Sequence, residues 1–233
     1  MGLILVGCEE SQAITIALRK LGHEAFSCDL LPCSGGHPEW HIQGDIFEAI
    51  KSRKWDMMIA HPPCTFLTNS AVQWLSHPED KHLPFEDRRP HPKYPTRRQD
   101  MLDSVEFVKS LMNCEIPLVA VENPMGLLST RYRKPDQTIQ PWQFGDEATK
   151  TTCLWLKGLP MLNHTEIVGK GERTTFKSGK SHPKWYADAL ANAKTPAERR
   201  TLRSKTFQGI ANAIAEQWGG FADAYKLSDE KAA

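Results

Sequence analysis

Short apolar runs of β-type composition alternate along this chain with segments of helical periodicity. The helical segments are residues 11–21, 98–112 and 209–218, and the apolar runs are residues 3–6, 24–28, 56–60, 118–121 and 153–156. Strands that alternate with amphipathic helices pack as parallel strands joined by helical crossovers. The sequence therefore predicts the α/β class, with a doubly wound, mostly parallel, Rossmann-like sheet. Ser11, at the start of the first helical segment, is predicted to be its N-cap.

The charge of the chain is nearly balanced, which limits what it can bind by bulk electrostatics. Across 233 residues there are 29 Lys and Arg and 28 Asp and Glu, giving a formal net charge of +1. Binding to nucleic acid would therefore have to rest on local patches. Residues 169–203 are such a basic patch, and lysines on their glycine-containing loops are placed to contact phosphates.

The six cysteines are scattered without CxxC pairing. This usage indicates a reducing compartment and favours neither a disulfide framework nor a zinc site. Cys33 with His37 and His41 lacks a fourth ligand, so no metal site is predicted. The apolar start of the chain is too short for a signal peptide, and no run approaches a membrane span. We therefore expect a cytoplasmic protein without membrane contact.

The tetrapeptide His61-Pro62-Pro63-Cys64 directly follows the apolar run 56–60. Both prolines fix φ and neither can donate to a strand ladder, so the strand ends in a rigid, extended corner. A cysteine at this corner lies at the carboxyl edge of the sheet, where open α/β sheets bind ligands. Two interpretations are open: Cys64 is a nucleophile, or it is an incidental thiol in a strand-ending turn.

Residues 76–97 follow this corner and are rich in proline, histidine and charge. The segment is longer than an ordinary connection, so it predicts a mobile or substrate-covering loop. A disordered surface insertion is the alternative interpretation.

Several landmarks follow one another in a characteristic order. They are Val6-Gly7-Cys8-Glu9-Glu10-Ser11, Ser27-Cys28-Asp29, Gly44-Asp45-Ile46, Pro62-Pro63-Cys64, Glu122-Asn123-Pro124, Phe144-Gly145 and Phe207-Gln208-Gly209-Ile210. This order resembles the cytosine-C5 DNA methyltransferases, which use S-adenosyl-L-methionine. Pro-Pro-Cys followed by Glu-Asn after successive strands is the distinctive part.

The resemblance also implies a division of the chain. Residues 1–156 would form the catalytic and cofactor-binding core, with residues 76–97 as a loop insertion. Residues 157–203 would form a reduced target-recognition region, and residues 204–233 a C-terminal helix that returns to the core. A form this compact is similar to virus-borne members of the family, which would place it in the host cytoplasm. No obligatory protein partner is evident.

The resemblance assigns catalytic roles to residues at the strand ends. Cys64 would attack C6 of cytosine, because a thiolate both attacks and leaves readily. Glu122 would engage N3 as a general acid, and Asn123 would orient the loop. The methyl group then passes to C5 and the C5 proton is lost. The partner would be duplex DNA, with the target cytosine flipped out of the helix.

The resemblance likewise implies a cofactor site for S-adenosyl-L-methionine. Asp29 would bind the ribose hydroxyls, the role that acids play at this position in nucleotide-binding folds. Asp45 would read the adenine amino group while Ile46 packs on the ring. Ordinary capping is the alternative for both carboxylates. The remaining residues of the implied cofactor site are Gly7, Glu9, Ser11, Leu30, Pro62 and Asn212.

This sequence departs from the family pattern in three places. The glycine-rich first turn is replaced by Gly7-Cys8-Glu9-Glu10-Ser11-Gln12, and Thr65 follows Cys64 where Gln is usual. The Gln-x-Arg-x-Arg motif, whose arginines hold the target base, has no clear match. Lys150 aligns with one of its arginines, but Lys cannot make a planar bidentate contact. Base anchoring is expected to differ, or to be taken up by arginines of residues 76–97.

Other functions stay open at this point. Exocyclic-amino methyltransferases, acting on N4 of cytosine or N6 of adenine, also end a strand with Pro-Pro. They usually carry Asp or Asn before it and an aromatic residue after it, where this chain has His61 and Cys64. A non-catalytic nucleic-acid-binding module of the same fold is a second alternative. RNA or free nucleotides are further substrate classes.

Overall fold

The computed structural model describes residues 1–232, and it describes their side chains except at 196, 197, 200 and 226–232. Within that part of the chain, the strands are β1 (Leu3–Gly7), β2 (Glu24–Asp29), β3 (His41–Gln43), β4 (Met57–Ala60), β5 (Leu118–Pro124), β6 (Gln137–Ile139), β7 (Thr152–Lys157), β8 (Arg173–Thr175) and β9 (Ser181–Pro183). The helices are α1 (Ala13–Lys20), α2 (Ile46–Ser52), α3 (Arg97–Met112), α4 (Leu128–Arg131), α5 (Lys184–Asn192), α6 (Pro196–Ser204) and α7 (Gln208–Ala232).

The main sheet has the strand order β3-β2-β1-β4-β5-β7-β6. β1 pairs in parallel with both β2 and β4, and β4 pairs in parallel with β5. β7 is antiparallel to both of its neighbours, β5 and β6. The predicted doubly wound, mostly parallel, Rossmann-like sheet is confirmed. Its strand order reverses at β1 and β4, and ligands bind beyond the carboxyl ends of strands at such a switch point.

Side chains from the central strands alternate between two hydrophobic layers. Ile4 and Val6 face α1 and α7 on one side, whereas Leu5 faces α2 and α3 on the other. This alternation follows from the two-residue period of a strand, and it explains why the strands read as continuous apolar runs. On the first side α1 and α7 pack directly against each other, and Trp218 of α7 is fully buried.

The ends of two predicted helices differ in the structure. α1 begins at Ala13, and Ser11 is not its cap; the N-cap position is Gln12, whose own side chain makes no capping bond. Glu9 supplies the cap instead, as the backbone N–H of Ile14 donates to its carboxylate at 2.7 Å. The predicted C-terminal helix starts at Gln208 and runs to Ala232, well past the periodic stretch. Residue 233, the last of the predicted segment, lies outside the described residues.

Residues 76–97 are folded rather than irregular. They contain two short 3₁₀ helices, Pro78–His82 and Phe85–Asp87. The Arg89 side chain donates to both carboxylate oxygens of Asp80, at 2.9 and 2.7 Å. Arg98 of α3 donates to the carbonyls of Phe85 and Arg88, which fixes the segment to that helix. Residues 76–97 are therefore ordered despite their polar composition. Their role in covering a substrate stays a prediction.

Residues 157–203 include the β8–β9 hairpin with α5 and most of α6. Trp185 of α5 attaches this region to the rest of the chain. Its indole N–H donates to the Thr149 carbonyl at 3.1 Å, and its ring meets Phe207 edge to face. The assignment of this region to target recognition is not tested by its fold.

Within residues 1–232, no helix combines the length and the apolar character needed to cross a bilayer.

Candidate active site

The carboxyl ends of β1, β4 and β5 lie side by side at one edge of the sheet. Gly7 is in register with Ala60, and Ala60 with Val121. His61, directly after β4, and Glu122, near the end of β5, are therefore both at this edge. The backbone N–H of His61 also donates to the Gly7 carbonyl at 2.9 Å. The structure thus brings the first turn, the Pro-Pro-Cys corner and Glu122 together.

His61 and Glu122 form a partly buried pair, with Nδ1 of His61 3.0 Å from Oε2 of Glu122. Their side chains are 14% and 21% exposed. Burial of the carboxyl group would raise its pKa, but the hydrogen bond and charge of His61, together with the charge of Lys150, lower the pKa of Glu122 below its ordinary value. Glu122 is therefore ionised at neutral pH.

Asn123 fixes the Pro-Pro-Cys corner to β5. Its side-chain amide donates to the Pro62 carbonyl at 2.9 Å, and the residue is 1% exposed. Its Oδ1 atom is buried and has no hydrogen-bond partner in the described part of the chain. The orienting role expected of Asn123 has this bond as its physical basis.

A tight turn follows Cys64. The Cys64 carbonyl accepts hydrogen bonds from the backbone N–H of Leu67 at 2.9 Å and of Thr68 at 3.2 Å. Gly126, just beyond β5, lies so close to this turn that a Cβ atom there would be 2.0 Å from the Leu67 carbonyl oxygen. Only glycine allows this approach of two backbones. The turn after Cys64 and the end of β5 are therefore locked together.

The Cys64 thiol lies in a mixed electrostatic environment. Burial and the charge of Glu122 raise its pKa, while the charges of Lys150 and Arg203 act in the opposite direction. The resting thiol is protonated at neutral pH, and two cations are in range to stabilise the thiolate. The sequence pattern indicates Lys150 as a site residue, whereas it places Arg203 only within the basic patch of residues 169–203.

Lys150 and Arg203 lie on separate segments that meet near Cys64. The Lys150 ammonium donates to the Lys205 carbonyl at 3.0 Å and contacts that of Ser204 at 3.4 Å. The Arg203 guanidinium lies 4.8 Å from the centre of the Tyr186 ring. No ion pair between Arg203 and a carboxylate occurs among the described side chains. The link from Lys150 to the end of α6 explains how a distant arginine reaches the site.

The turn after β1 is held by buried polar groups. Cys8 and Gln12 both have left-handed backbones, with φ of 57° and 59°, which costs about 1–3 kcal/mol per residue. Gln12 is fully buried, and its amide donates to the Ser27 hydroxyl and to the His37 carbonyl. Glu9 is 3% exposed, and burial raises its pKa against the opposing charge of His61. This network replaces the glycine-rich turn that the family pattern would have.

Asp29 and Asp45, the two acids of the implied cofactor site, both act electrostatically on Cys8. Burial, followed by the charges of Asp29, Cys28 and Asp45, raises the pKa of the Cys8 thiol to about 12. Asp29 accepts the Leu31 N–H at 2.9 Å through Oδ1. Asp45 is the N-cap of α2, the alternative that the sequence left open. In both carboxylates the backbone N–H groups donate to Oδ1. Cofactor binding by either residue stays a prediction.

Apolar groups border these acids. A Cβ atom on Gly7 would be 2.6 Å from Cδ1 of Ile46, so glycine is what allows Ile46 to pack against the end of β1. Leu30, directly after Asp29, is 73% exposed. Carboxylates that can accept hydrogen bonds from hydroxyl and amino groups, beside apolar surface, are a set of groups that fits an adenosine moiety.

The other predicted cofactor residues lie on three further segments of the fold. Ser11 lies in the first turn, before Gln12. Pro62 is at the corner, where its carbonyl is bound by Asn123. Asn212 lies in the second turn of α7 and accepts a hydrogen bond from Gln208 at 2.8 Å.

Across the described residues, no group of three or more His, Cys, Asp or Glu side chains is arranged to hold a metal ion. His41 is instead hydrogen-bonded at both ring nitrogens, to the Ser27 hydroxyl and the Leu31 carbonyl.

The likeness of this chain to known proteins lies in its structure. No protein-family model matches the chain, and no curated protein matches it. Among solved structures it is similar to a candidate DNA modification methyltransferase from E. coli, encoded within a prophage. The sequence identity is 12% and the TM-score is 0.43. The match covers 72% of this chain and 52% of the other, so the chain spans about half the length of that structure.

Proposed function

We propose that this chain is an S-adenosyl-L-methionine-dependent DNA cytosine-C5 methyltransferase that acts through a covalent adduct at Cys64. The observation that carries the proposal is the meeting of Cys64, Glu122 and the cations Lys150 and Arg203 at the switch-point edge of the sheet. A thiol, a carboxylate and flanking cations are the groups that addition to a pyrimidine ring requires.

The chemistry starts from the poor nucleophilicity of C5. Cys64 first loses its thiol proton to solvent; attack of the resulting thiolate on C6 forms an S–C6 bond and makes C5 an enamine-like carbon, while N3 gains electron density. Glu122 acts electrostatically on Cys64, and after taking up a proton from solvent it would donate that proton to N3 as the charge builds there. Once C5 carries the methyl group, its proton passes to solvent, the C5–H electron pair re-forms the C5–C6 double bond, and the S–C6 bond breaks, which releases Cys64 as a thiolate.

S-Adenosyl-L-methionine would supply the methyl group when bound. Asp29 and Asp45 offer carboxylates for its ribose and adenine groups, and Ile46 offers an apolar face. Their convergence on Cys8, at the ends of β1 and β2, supports this assignment.

DNA is the proposed partner, with its target base flipped out to reach Cys64. Since the net charge is only +1, contact with the DNA backbone would rest on the basic residues of 169–203. Lys150 and Arg203 are the cations placed to bind oxygen atoms of the flipped nucleotide. The proposed division into a core, a reduced recognition region and a returning helix follows from these roles.

An exocyclic-amino methyltransferase is the second candidate, and the ionisation of Glu122 favours it. An ionised carboxylate accepts a hydrogen bond from an amino group. Transfer to nitrogen needs no thiol, so this candidate predicts that Cys64→Ser stays active. A non-catalytic binding module of the same fold would bind DNA without turnover.

The test is incubation of the protein with labelled S-adenosyl-L-methionine and duplex DNA, followed by digestion and mass analysis of the nucleosides. We expect 5-methylcytosine from the wild-type protein and from Cys114→Ser, and none from Cys64→Ser. N4-Methylcytosine or N6-methyladenine would transfer the assignment to the second candidate. Cofactor binding by calorimetry without any product on DNA would contradict DNA methylation and direct the search to RNA and free nucleotides.

A further inference from the structure

We propose that the β8–β9 hairpin and α5 carry a stacking surface for unpaired DNA bases, formed by the rings of Phe176, His182 and Tyr186. The inference rests on the proposed function and specifies the state in which its DNA partner is bound next to the target base. Neither the motifs nor the proposed chemistry gives these three rings a role.

Aromatic and basic residues are interleaved through the hairpin and the start of α5. The aromatic members are Phe176, His182, Trp185 and Tyr186, and the basic ones are Arg173, Lys177, Lys180 and Lys184. Rings that stack on bases, set among cations that contact phosphates, are typical of surfaces that bind single strands.

The charge of the chain is concentrated in the same region. Residues 169–203 contain nine Lys and Arg but only three Asp and Glu, whereas the whole chain has a net charge of +1. The rest of the chain is therefore net negative. A polyanion is attracted to residues 169–203 and not to the remaining surface.

The register of the hairpin brings Phe176 onto the same face as His182. Thr174 pairs with His182 across β8 and β9, and side chains two residues apart along a strand share a face. The backbone N–H of Phe176 donates to the Lys180 carbonyl at 2.9 Å, which continues the pairing beyond the two strands. The Phe176 and His182 rings therefore meet edge to face, with 5.6 Å between their centres.

α5 continues this row of rings. His182 and Tyr186 are four residues apart, and their rings stack with 5.1 Å between the centres and 21° between the planes. The Arg203 guanidinium, 4.8 Å from the centre of the Tyr186 ring, follows next and is within electrostatic range of the Cys64 thiol. The row therefore leads from the candidate active site to the hairpin.

Packing of the hairpin against α5 explains the two inner rings but not the outer one. His182 and Tyr186 are half-buried, whereas Phe176 is 38% exposed. Lys177 and Lys180 are exposed in the turn beside it, and neither forms an ion pair among the described side chains. Phe176 can therefore stack on a base while the two ammonium groups contact the adjacent phosphates.

Stacking of this kind selects bases that are not paired. In a duplex both faces of each base are covered by its neighbours, so a protein ring stacks on a base only where the helix has opened. The proposed reaction opens it, because the target base must leave the duplex to reach Cys64. The bases next to the target then lose a stacking partner, and Phe176, at the outer end of the row, replaces it.

The test is fluorescence anisotropy with a labelled oligo(dT) and with a dA·dT duplex of the same length. Neither probe contains cytosine, so binding is measured apart from methylation. We expect Phe176→Ala to weaken binding of oligo(dT) about 10-fold, as the loss of one stacked ring does, and to leave duplex binding nearly unchanged. Phe221→Ala removes a ring of equal exposure, 38%, from α7, and this matched control should keep both affinities.

Two further variants separate the ring from the fold of the hairpin. Phe176→Trp keeps an aromatic face and should bind oligo(dT) at least as tightly as the wild-type protein. Phe176→Leu keeps apolar packing without a ring and should resemble Phe176→Ala. An equal loss of affinity in Phe176→Trp and Phe176→Ala would overturn the inference, and so would equal losses on oligo(dT) and on the duplex.

The outcomes distinguish this inference from the proposed function. Wild-type affinity for oligo(dT) in Phe176→Ala would overturn the stacking surface and leave the formation of 5-methylcytosine unaffected. Tighter binding of oligo(U) RNA than of oligo(dT) would overturn DNA as the occupant. Phe176-dependent binding of oligo(dT) by a protein that makes no 5-methylcytosine would contradict the methyl transfer while supporting the stacking surface.

Discussion

The side-chain amide of Asn123 donates to the Pro62 carbonyl across the ends of β5 and β4, at 2.9 Å. This bond fixes the corner that carries Cys64 relative to the strand that carries Glu122. A proline corner has no N–H groups of its own to pair with, so its carbonyls are what hold it in place. This buried amide therefore sets the separation of Cys64 from Glu122 together with the close approach of Gly126 to Leu67.

Asn123→Ala removes this bond and leaves the Pro62 carbonyl unsatisfied. We expect a loss of about 1–3 kcal/mol in the free energy of unfolding, measured by urea denaturation. The methylation rate should fall by a larger factor than the loss of folded protein explains, while affinity for the cofactor stays near that of the wild-type protein. A variant with wild-type turnover would contradict the orienting role.

Cys64→Ala should abolish methyl transfer and leave the cofactor dissociation constant nearly unchanged, because the thiol acts on the base. The wild-type protein should form a stable covalent complex with duplex DNA containing 5-fluorocytosine, since fluorine at C5 cannot leave as a proton does. Denaturing gel electrophoresis detects that complex. Its formation by Cys64→Ala, or its absence from Cys114→Ala, would argue against Cys64 as the nucleophile.

Asp45 allows capping and cofactor binding to be separated. Asp45→Ser keeps an N-cap hydroxyl for α2 but loses the carboxylate, whereas Asp45→Ala loses both. We expect Asp45→Ala to cost about 1 kcal/mol of stability and Asp45→Ser much less. Both should raise the dissociation constant for S-adenosyl-L-methionine in calorimetry. Unchanged affinity in Asp45→Ser would leave Asp45 as a helix cap alone.

The reactivity of Cys64 should increase with pH, because burial and Glu122 hold its pKa above the ordinary value. Lys150 and Arg203 favour the thiolate, so Arg203→Met should raise that pKa further and shift alkylation to higher pH. Iodoacetamide labelling of the Cys64 peptide, followed by mass spectrometry across a pH series, gives the titration. Lys177→Met is the matched loss of one positive charge, on the β8–β9 hairpin, and should leave the curve in place. A shift to lower pH in Arg203→Met would reverse the assignment.

Gly126→Ala introduces a methyl group that meets the Leu67 carbonyl oxygen at 2.0 Å. We expect a destabilisation of about 1–3 kcal/mol from overpacking, together with a loss of activity as the turn after Cys64 moves. Gly220→Ala is the control, because an added Cβ there meets no described atom within 4 Å. Thermal unfolding should show a lower midpoint temperature than in the wild-type protein for Gly126→Ala and not for Gly220→Ala.

β1, β4 and β5, the parallel strands at the centre of the sheet, could be predicted from the sequence because they are buried and read as apolar runs. β3 and β6 could not, since each has three residues and is stabilised by pairing rather than by its own composition. The N-terminus of α1 was mispredicted for a similar reason. Ser11 has the right residue type and position, but Glu9 reaches the same N–H groups from inside the preceding turn.

The candidate site was predictable where a motif follows a strand, as for Cys64 and Glu122. The pairing of His61 with Glu122 depends on the register of β4 against β5, which periodicity does not specify. The approach of Arg203 depends on a contact between Lys150 and the end of α6, more than fifty residues along the chain. Such relationships arise from tertiary packing and leave no local pattern.

The packing of α7 against α1 has a consequence for synthesis of the chain. The face of the sheet that carries Ile4 and Val6 is covered by Trp218, which a ribosome adds after more than two hundred other residues. Until that helix emerges, the first strand exposes apolar surface, and contacts between such distant segments form slowly. The nascent chain therefore completes the packing of its first strand last, although it makes those residues first.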